Sequence, residues 1–365
     1  MSFSVIEIEK LDIVVIDGDR SKNYPHKNEL FNRGFCLFLT ANNITKIGFN
    51  FSDNLYITRE KDMILRKGKL FRNDVVITTR GTLGNVAIYD YSVPYDNVRI
   101  NSGMLILRCG KDFDSKFLYY ALNNNKFMNQ IKAIQSGTAQ PQLPKSHLIK
   151  MKIPCPPLDT QKKIAAVLSA LDDKIELNNA INKNLEEQLN RVYDKIFQSI
   201  KKIIELGAVI KTTSGGTPSR KNSSFYKDGQ ICWVKSKELS GKYIIDTEEK
   251  INEIALKNSS AKILPEHSVL IAMYGATVGE YGIISKPMTC NQAVCALIAN
   301  EQYPFSYLYQ IAKESKSYFL NMAVGSAQQN ISQILIKQLP VHDDILRIKK
   351  FHSFAAPIHG ILKNL

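Results

Sequence analysis

Asp228 with Glu248-Glu249-Lys250 has the residue types of a metal-dependent nuclease, carboxylates for a cation beside a lysine. A Glu-x-Lys triplet, however, arises readily by chance in a chain with 48 Lys and Arg. Cys155-Pro156-Pro157-Leu158 carries the Pro-Pro step of an adenine-binding Asn/Asp-Pro-Pro-aromatic loop. It lacks both the amide or acid that would hold the target amine and the aromatic that would stack on the base. No Walker lysine and no glycine-rich strand-to-helix loop is present for a nucleotide. The six histidines (His26, His147, His267, His342, His352, His359) have no zinc spacing, and the six cysteines contain no CxxC pair. With no export signal, the cysteines read as reduced core thiols of a cytoplasmic protein. The other reading is a metal site from Cys290, Cys295 and a histidine. The residues point away from catalysis.

They offer recognition chemistry instead. Arginine forks onto guanine and Asn or Gln onto adenine in the major groove of DNA. Arg80 and Arg99 fall in glycine-bounded stretches that are expected to be loops where backbone can approach a duplex. Gln140, Gln142, Gln328 and Gln329 fall where a loop meets a helix start. Arg20, Lys22, Arg220 and Lys221 suit phosphates, which position without specifying. Gly81, Gly84, Gly275 and Gly279 read as turn residues, and ordinary solvent-exposed turn polarity is the alternative for each of the others.

The elements that must position these residues recur. Short strands are expected at Asp12–Ile16, Phe35–Leu39, Asp74–Thr79, Val86–Tyr89 and Met104–Arg108, then helical spacing over Asp114–Ile134. Strands at Ile231–Lys235 and Val269–Met273 and a helix at Phe305–Met322 repeat that order. Gly275-Ala276-Thr277-Val278-Gly279 matches Arg80-Gly81-Thr82-Leu83-Gly84 at an offset of 195. Gly325-Ser326-Ala327-Gln328-Gln329 matches Gly137-Thr138-Ala139-Gln140-Pro141 at an offset of 188. Two ordered matches at nearly one offset indicate internal duplication. The fold class is α+β: two mostly β domains separated by long antiparallel coiled-coil helices, with an internal two-fold duplication.

Between the repeats, Asp159–Ile203 carries apolar residues in alternating steps of four and three, from Ile164 through Leu168, Leu171 and Ile175 to Leu185, Leu189, Val192 and Ile196. A continuous helix there would be roughly 65 Å long, a spacer that needs a partner helix. Asn178 and Asn182 break the seam. Either they form a buried polar layer that fixes register, or the seam rotates onto Leu177 and Ile181.

The chain carries a formal charge of +14, of which residues 1–158 hold +8 and the long helical stretch 159–204 only +1. Nucleic acid is the natural acidic partner for such a balance, with a solvated lysine surface as the bland alternative. The longest apolar runs fall short of a bilayer span.

Gly137-Thr138-Ala139-Gln140-Pro141-Gln142-Leu143, followed by Ile153-Pro154, Pro156-Pro157-Leu158, Gln161, Leu171-Asp172, Lys174-Ile175 and Leu185-Glu186, resembles the central conserved region of type I restriction–modification specificity subunits. The resemblance covers the whole chain. It implies residues 1–154 as a first target-recognition domain, 155–204 as a central conserved helix, 205–339 as a second recognition domain and 340–365 as a shortened conserved helix. It also implies a non-catalytic DNA reader without a cofactor of its own, partnered by methyltransferase (M) subunits that use S-adenosylmethionine and a restriction (R) subunit that uses ATP and Mg. A self-contained nuclease or methyltransferase is the competing reading, and a coiled-coil scaffold with no DNA role is a third. The stretches Asn23-Tyr24-Pro25, Thr79-Arg80-Gly81-Thr82 and Arg99-Ile100-Asn101 resemble one class of recognition loop, and Gly215-Gly216-Thr217-Pro218 with Trp233-Val234-Lys235 another. They add Tyr24, Thr82, Asn101, Thr217 and Lys235 to the candidate DNA-binding residues, and the repeat adds Thr277. The last helix departs from the family, being short and expected to break at Pro357.

Overall fold

The computed structural model describes residues 3–135, 142–200, 202–324 and 330–364. The chain divides into two compact units, 1–175 and 176–365. In the first, Ile13–Asp17, Met104–Cys109, Asp74–Thr78 and Val86–Tyr89 form one antiparallel sheet in that order. Successive side chains of a strand point to opposite faces. Val75, Ile77, Leu105 and Leu107 therefore pack on Phe117, Leu118, Leu122, Phe127 and Ile131 of two helices, Ser115–Leu122 and Asn125–Gln135. Val76, Met104 and Ile106 face the other way, onto Leu37, Leu39, Val98 and Ile100 of a second sheet. Burial on both faces is why these strands read as apolar runs without alternation. The second sheet holds Val98–Ile100, which the sequence reading placed in a loop. The expected helix over 114–134 is two helices, parted at Asn123 and Asn124.

The second unit repeats the plan. Lys211–Ser214, Val294–Ile298, Val269–Ala272 and Tyr281–Ile284 take the same antiparallel order, with Tyr243–Ile244 added in parallel at the edge. Each domain is closed by a strand pair: Val5–Glu7 with Lys152–Pro154, and Ile203–Glu205 with Pro340–His342. A Cβ on Gly18 would lie 2.1 Å from the Asn101 carbonyl oxygen, and one on Gly215 would lie 2.0 Å from that of Cys290. The same close approach thus demands glycine at the same place in both halves.

The duplication corrects one sequence match. Gly81 and Gly275 both adopt the left-handed conformation, at φ +71° and +68°. Thr79 N–H donates to Gly103 and Met273 N–H to Ala293, at 2.7 and 2.8 Å. Gly275 therefore stands where Gly81 does, an offset of 194, and the counterpart of Arg80 is Tyr274. The second loop is one residue longer, which is why spacing alone slipped by one.

The central helix runs Leu158–Phe197, not to Ile203, whose segment joins the closing strand pair. At 40 residues it is about 60 Å long. Gln161 anchors its start, accepting from Asp114 N–H at 2.9 Å and donating to the Pro156 carbonyl at 2.9 Å. Within the second unit, the helix Ile345–Leu362 packs on the helix Phe305–Val324 and puts Ile348, Phe351, Ala355 and Ile358 into a core shared with Leu189, Tyr193 and Phe197. Phe351 meets the rings of Tyr193 and Phe197 edge-on. Arg347, at its start, reaches the Ile196 carbonyl and Ser199 hydroxyl, whereas Leu362, at its end, shares a cavity lining with Asn182. The last helix and the central helix are antiparallel. The last helix continues through Pro357, against expectation. The ring forfeits the N–H that would have met the Ser353 carbonyl and crowds that carbonyl, but Ala355 and Ile358 on either side are held in the core. Asn178 and Asn182 stay half-buried while Leu177 is 60% exposed, so the seam does not rotate onto Leu177.

Candidate nucleic-acid interface

In the first unit the strand ends bring five loops to one edge. The Asp19 carboxylate accepts backbone N–H groups of Ser21 and Arg66 at 2.7 Å and of Lys67 at 3.2 Å. Burial pushes this carboxyl up, but hydrogen bonds from Ser21, Arg66 and Lys67 together outweigh it and hold the group at about 2. The Arg20 guanidinium, paired to Asp17 at 3.4 Å, lies 3.5 Å from the Ser102 carbonyl. Thr79 binds Gly103 on one side and Leu143 on the other, while the Thr82 hydroxyl donates to the Ala41 carbonyl at 3.2 Å. Asn101 caps its own turn at Gly103 N–H, 2.8 Å away. The edge thereby presents Arg20, Lys22, Arg66, Lys67, Arg80, Thr82 and Gln142, all exposed. Its acids are consumed locally: Asp17 by Arg20, Asp19 by backbone. A concave surface of about 310 Å³ lies between Asp17–Ser21 and Arg66-Lys67.

Arg66 and Lys67 were missed by sequence reasoning. Their signal, a basic pair directly before Gly68, was present but belonged to no recognised loop. Arg99 is a correction. It is 6% exposed, and its guanidinium meets Asp62 Oδ1 at 2.5 Å and the carbonyls of Asp62, Leu65 and Lys67. Tyr24 is likewise drawn inward, edge-on to Phe38 at 5.7 Å.

In the second unit Lys235 is corrected too. Its ammonium is clamped between Glu248 and Glu249 at 2.8 and 3.0 Å and is largely covered. Arg220 pairs with Glu249 at 2.7 Å and lies over the rings of Tyr226 and Trp233. These pairs occupy the acids that resembled a nuclease, and Asp228 lies in an exposed turn. The Thr217 hydroxyl bonds the Gln292 side chain, Thr277 caps its own turn on the Tyr274 carbonyl, and Lys221 is exposed. Gln140, Gln328 and Gln329 lie outside the described residues.

Burial pushes the Cys290 and Cys295 thiols up to about 12. Among the described residues no group of three His, Cys, Asp or Glu side chains is placed to hold a metal. No helix among them is long and apolar enough to cross a membrane. Two duplicated β-domains, each closed by a strand pair that leads into a helix, with polar loops gathered at a sheet edge of the first, make up the architecture.

The family comparison agrees. The type I restriction modification DNA specificity domain matches residues 9–187 and again 199–342, so the chain belongs to that family and is a non-catalytic specificity subunit with two recognition domains. It is 25% identical over 343 residues to the MjaIX specificity subunit of Methanocaldococcus jannaschii, covering 83% of this chain and 76% of that one. It is 27% identical over 227 residues to the EcoR124I/EcoR124II specificity subunit of Escherichia coli, covering 58% of this chain and 52% of the relative. A crystal structure of the type-I restriction-modification S subunit from M. genitalium has a TM-score of 0.67 at 17% identity, covering all of this chain and 91% of that one. That likeness is one of fold.

Proposed function

We propose that the chain reads a bipartite double-stranded DNA target, one half-site per recognition domain, for partner subunits that carry out the chemistry. The observation that carries the reading is the first unit's loop edge, where cations gather on backbone tied down by Asp19. Arg20, Lys22, Arg66 and Lys67 hold phosphates there, while Arg80 and Gln142 reach base edges. The readers are residues 1–154 and 205–339, and the conserved helical regions are 155–204 and 340–365. Val167, Leu171, Ile175 and Leu177 remain more than half exposed on the central helix, apolar surface suited to docking M subunits. Those subunits use S-adenosylmethionine to methylate adenine N6, and an R subunit, where it joins, uses ATP and Mg. The assembly works in the cytoplasm, where its DNA is.

The test is binding of the chain, assembled with its M subunits, to DNA across a salt series. The reading requires affinity that falls linearly in log–log form with salt and exceeds that for random duplex. Salt-independent association, or equal affinity for all sequences, would overturn it. So would methyl transfer or cleavage by the chain alone.

A further inference from the structure

Residues 205–339 contain a single arginine, Arg220, and it is committed to Glu249 and to the faces of Tyr226 and Trp233. The second domain's one arginine is thus already paired and stacked, though partly exposed, and the domain offers no other guanidinium to fork onto guanine, the commonest specific contact in a major groove. Its equivalent of Arg80 is Tyr274, as the matched left-handed glycines and matched hydrogen bonds establish. The correspondence extends to both sides of the turn. Gly84 N–H donates to Thr78 and Gly279 N–H to Ala272, and Leu143 N–H donates to Thr79 as Ile331 N–H does to Met273.

Tyr274 is 43% exposed, while Tyr281, Tyr303, Tyr307 and Tyr309 of the same unit are buried. Its backbone is pinned by a bridge to Asn330 and by Thr277, whose hydroxyl donates to the Tyr274 carbonyl at 3.1 Å. The adjoining tip is open, since a Cβ on Gly275 would meet no atom within 4 Å. A large ring thus stands on a fixed turn at the place where the other domain presents a guanidinium.

We infer that Tyr274 is a specificity-determining residue of the second half-site, its ring packing on a thymine C5-methyl in the major groove. The inference rests on the DNA-reading function proposed above. A thymine methyl is the one apolar feature a base pair offers in that groove, and an uncharged ring selects it where a guanidinium would select guanine. The two domains consequently read different chemistry through one shared loop design.

The test uses the chain assembled with its M subunits and the target site mapped from adenine methylation. Each thymine of the second half-site is replaced in turn by deoxyuridine, which removes only the methyl. One replacement should weaken binding about fourfold, the effect of one buried carbon. Tyr274→Ala should bind thymine and deoxyuridine alike at that position, with first-half selectivity and melting temperature unchanged, and Tyr274→Phe should keep the preference. The wild-type protein alone keeps the test decisive should Tyr274→Ala fold poorly. No methyl effect at any second-half thymine, or an effect that persists in Tyr274→Ala, overturns the inference while leaving selective binding intact. Loss of all selectivity by the wild-type complex would instead overturn the proposed function, and this inference with it.

Discussion

Arg99 Nε and Asp62 Oδ1 are 2.5 Å apart, with both side chains more than nine-tenths buried. Lys69 completes the cluster at 2.6 Å from the other Asp62 oxygen. A buried charge stripped of its partner is costly, so Arg99→Ala should destabilise the first domain by about 3–5 kcal/mol. Urea unfolding measures this. A near-neutral result would mean that Arg99 is free for DNA after all.

Arg80 should behave in the opposite way. It stands exposed beside a left-handed glycine on a turn tied to Gly103 and Leu143. Arg80→Ala should leave stability unchanged, cost about 1–3 kcal/mol on cognate DNA and relax selectivity at one position. Competition against single-base variants checks it. Equal weakening on cognate and random DNA with a shallower salt slope would make it a phosphate contact.

The contrast between these arginines shows what the sequence could convey. Apolar runs such as Val75–Ile77 located the strands, and two glycine-containing sequence matches pointed to the duplication, the second of which (137–141 with 325–329) lies outside the described residues. The 3.5-residue seam found the central helix to within six residues of its end. Val98–Ile100 was invisible as a strand because it is three residues long and carries an arginine, whose acceptors lie more than 30 residues earlier. Lys235 looked like a DNA contact for the same reason, since its two glutamates are placed by folding. Local pattern finds elements, whereas the partner of a charge is a tertiary fact.

Asp19 orders the basic edge through backbone N–H groups, not through the cations themselves. Asp19→Ala should therefore weaken DNA binding although no basic side chain is lost. Its folded-state pKa of about 2 lies below the usual 3.8. Its stabilisation is present above about pH 4 and is lost as the pH falls through about 2. Protection of the Arg66 and Lys67 amides should fall over that window in the wild type, whereas in Asp19→Asn, which has no carboxyl to titrate, it should already be low at neutral pH. Unchanged exchange in the variant would contradict the role.

His359 sets a second pH dependence. It is 1% exposed among Tyr243, Phe305 and Tyr309, and its Nδ1 meets no partner among the described residues. Burial first, then the positive charges of His352, His267 and Lys313, lower its pKa from 6.5 to about 4. The unfolded chain takes up this proton first, so stability is full above about pH 6.5 and falls by about 3 kcal/mol towards pH 4. His359→Leu should flatten that slope in thermal melts across the range. A variant as acid-sensitive as the wild type would place the effect elsewhere.

The central claim is that two duplicated domains read two half-sites independently. The most direct measurement is sequencing of adenine methylation in cells carrying this chain with its M subunits, before and after residues 1–150 are exchanged for another such domain. A bipartite motif in which one half changes and the other stays the same is the predicted result. A motif that changes in both halves would contradict it.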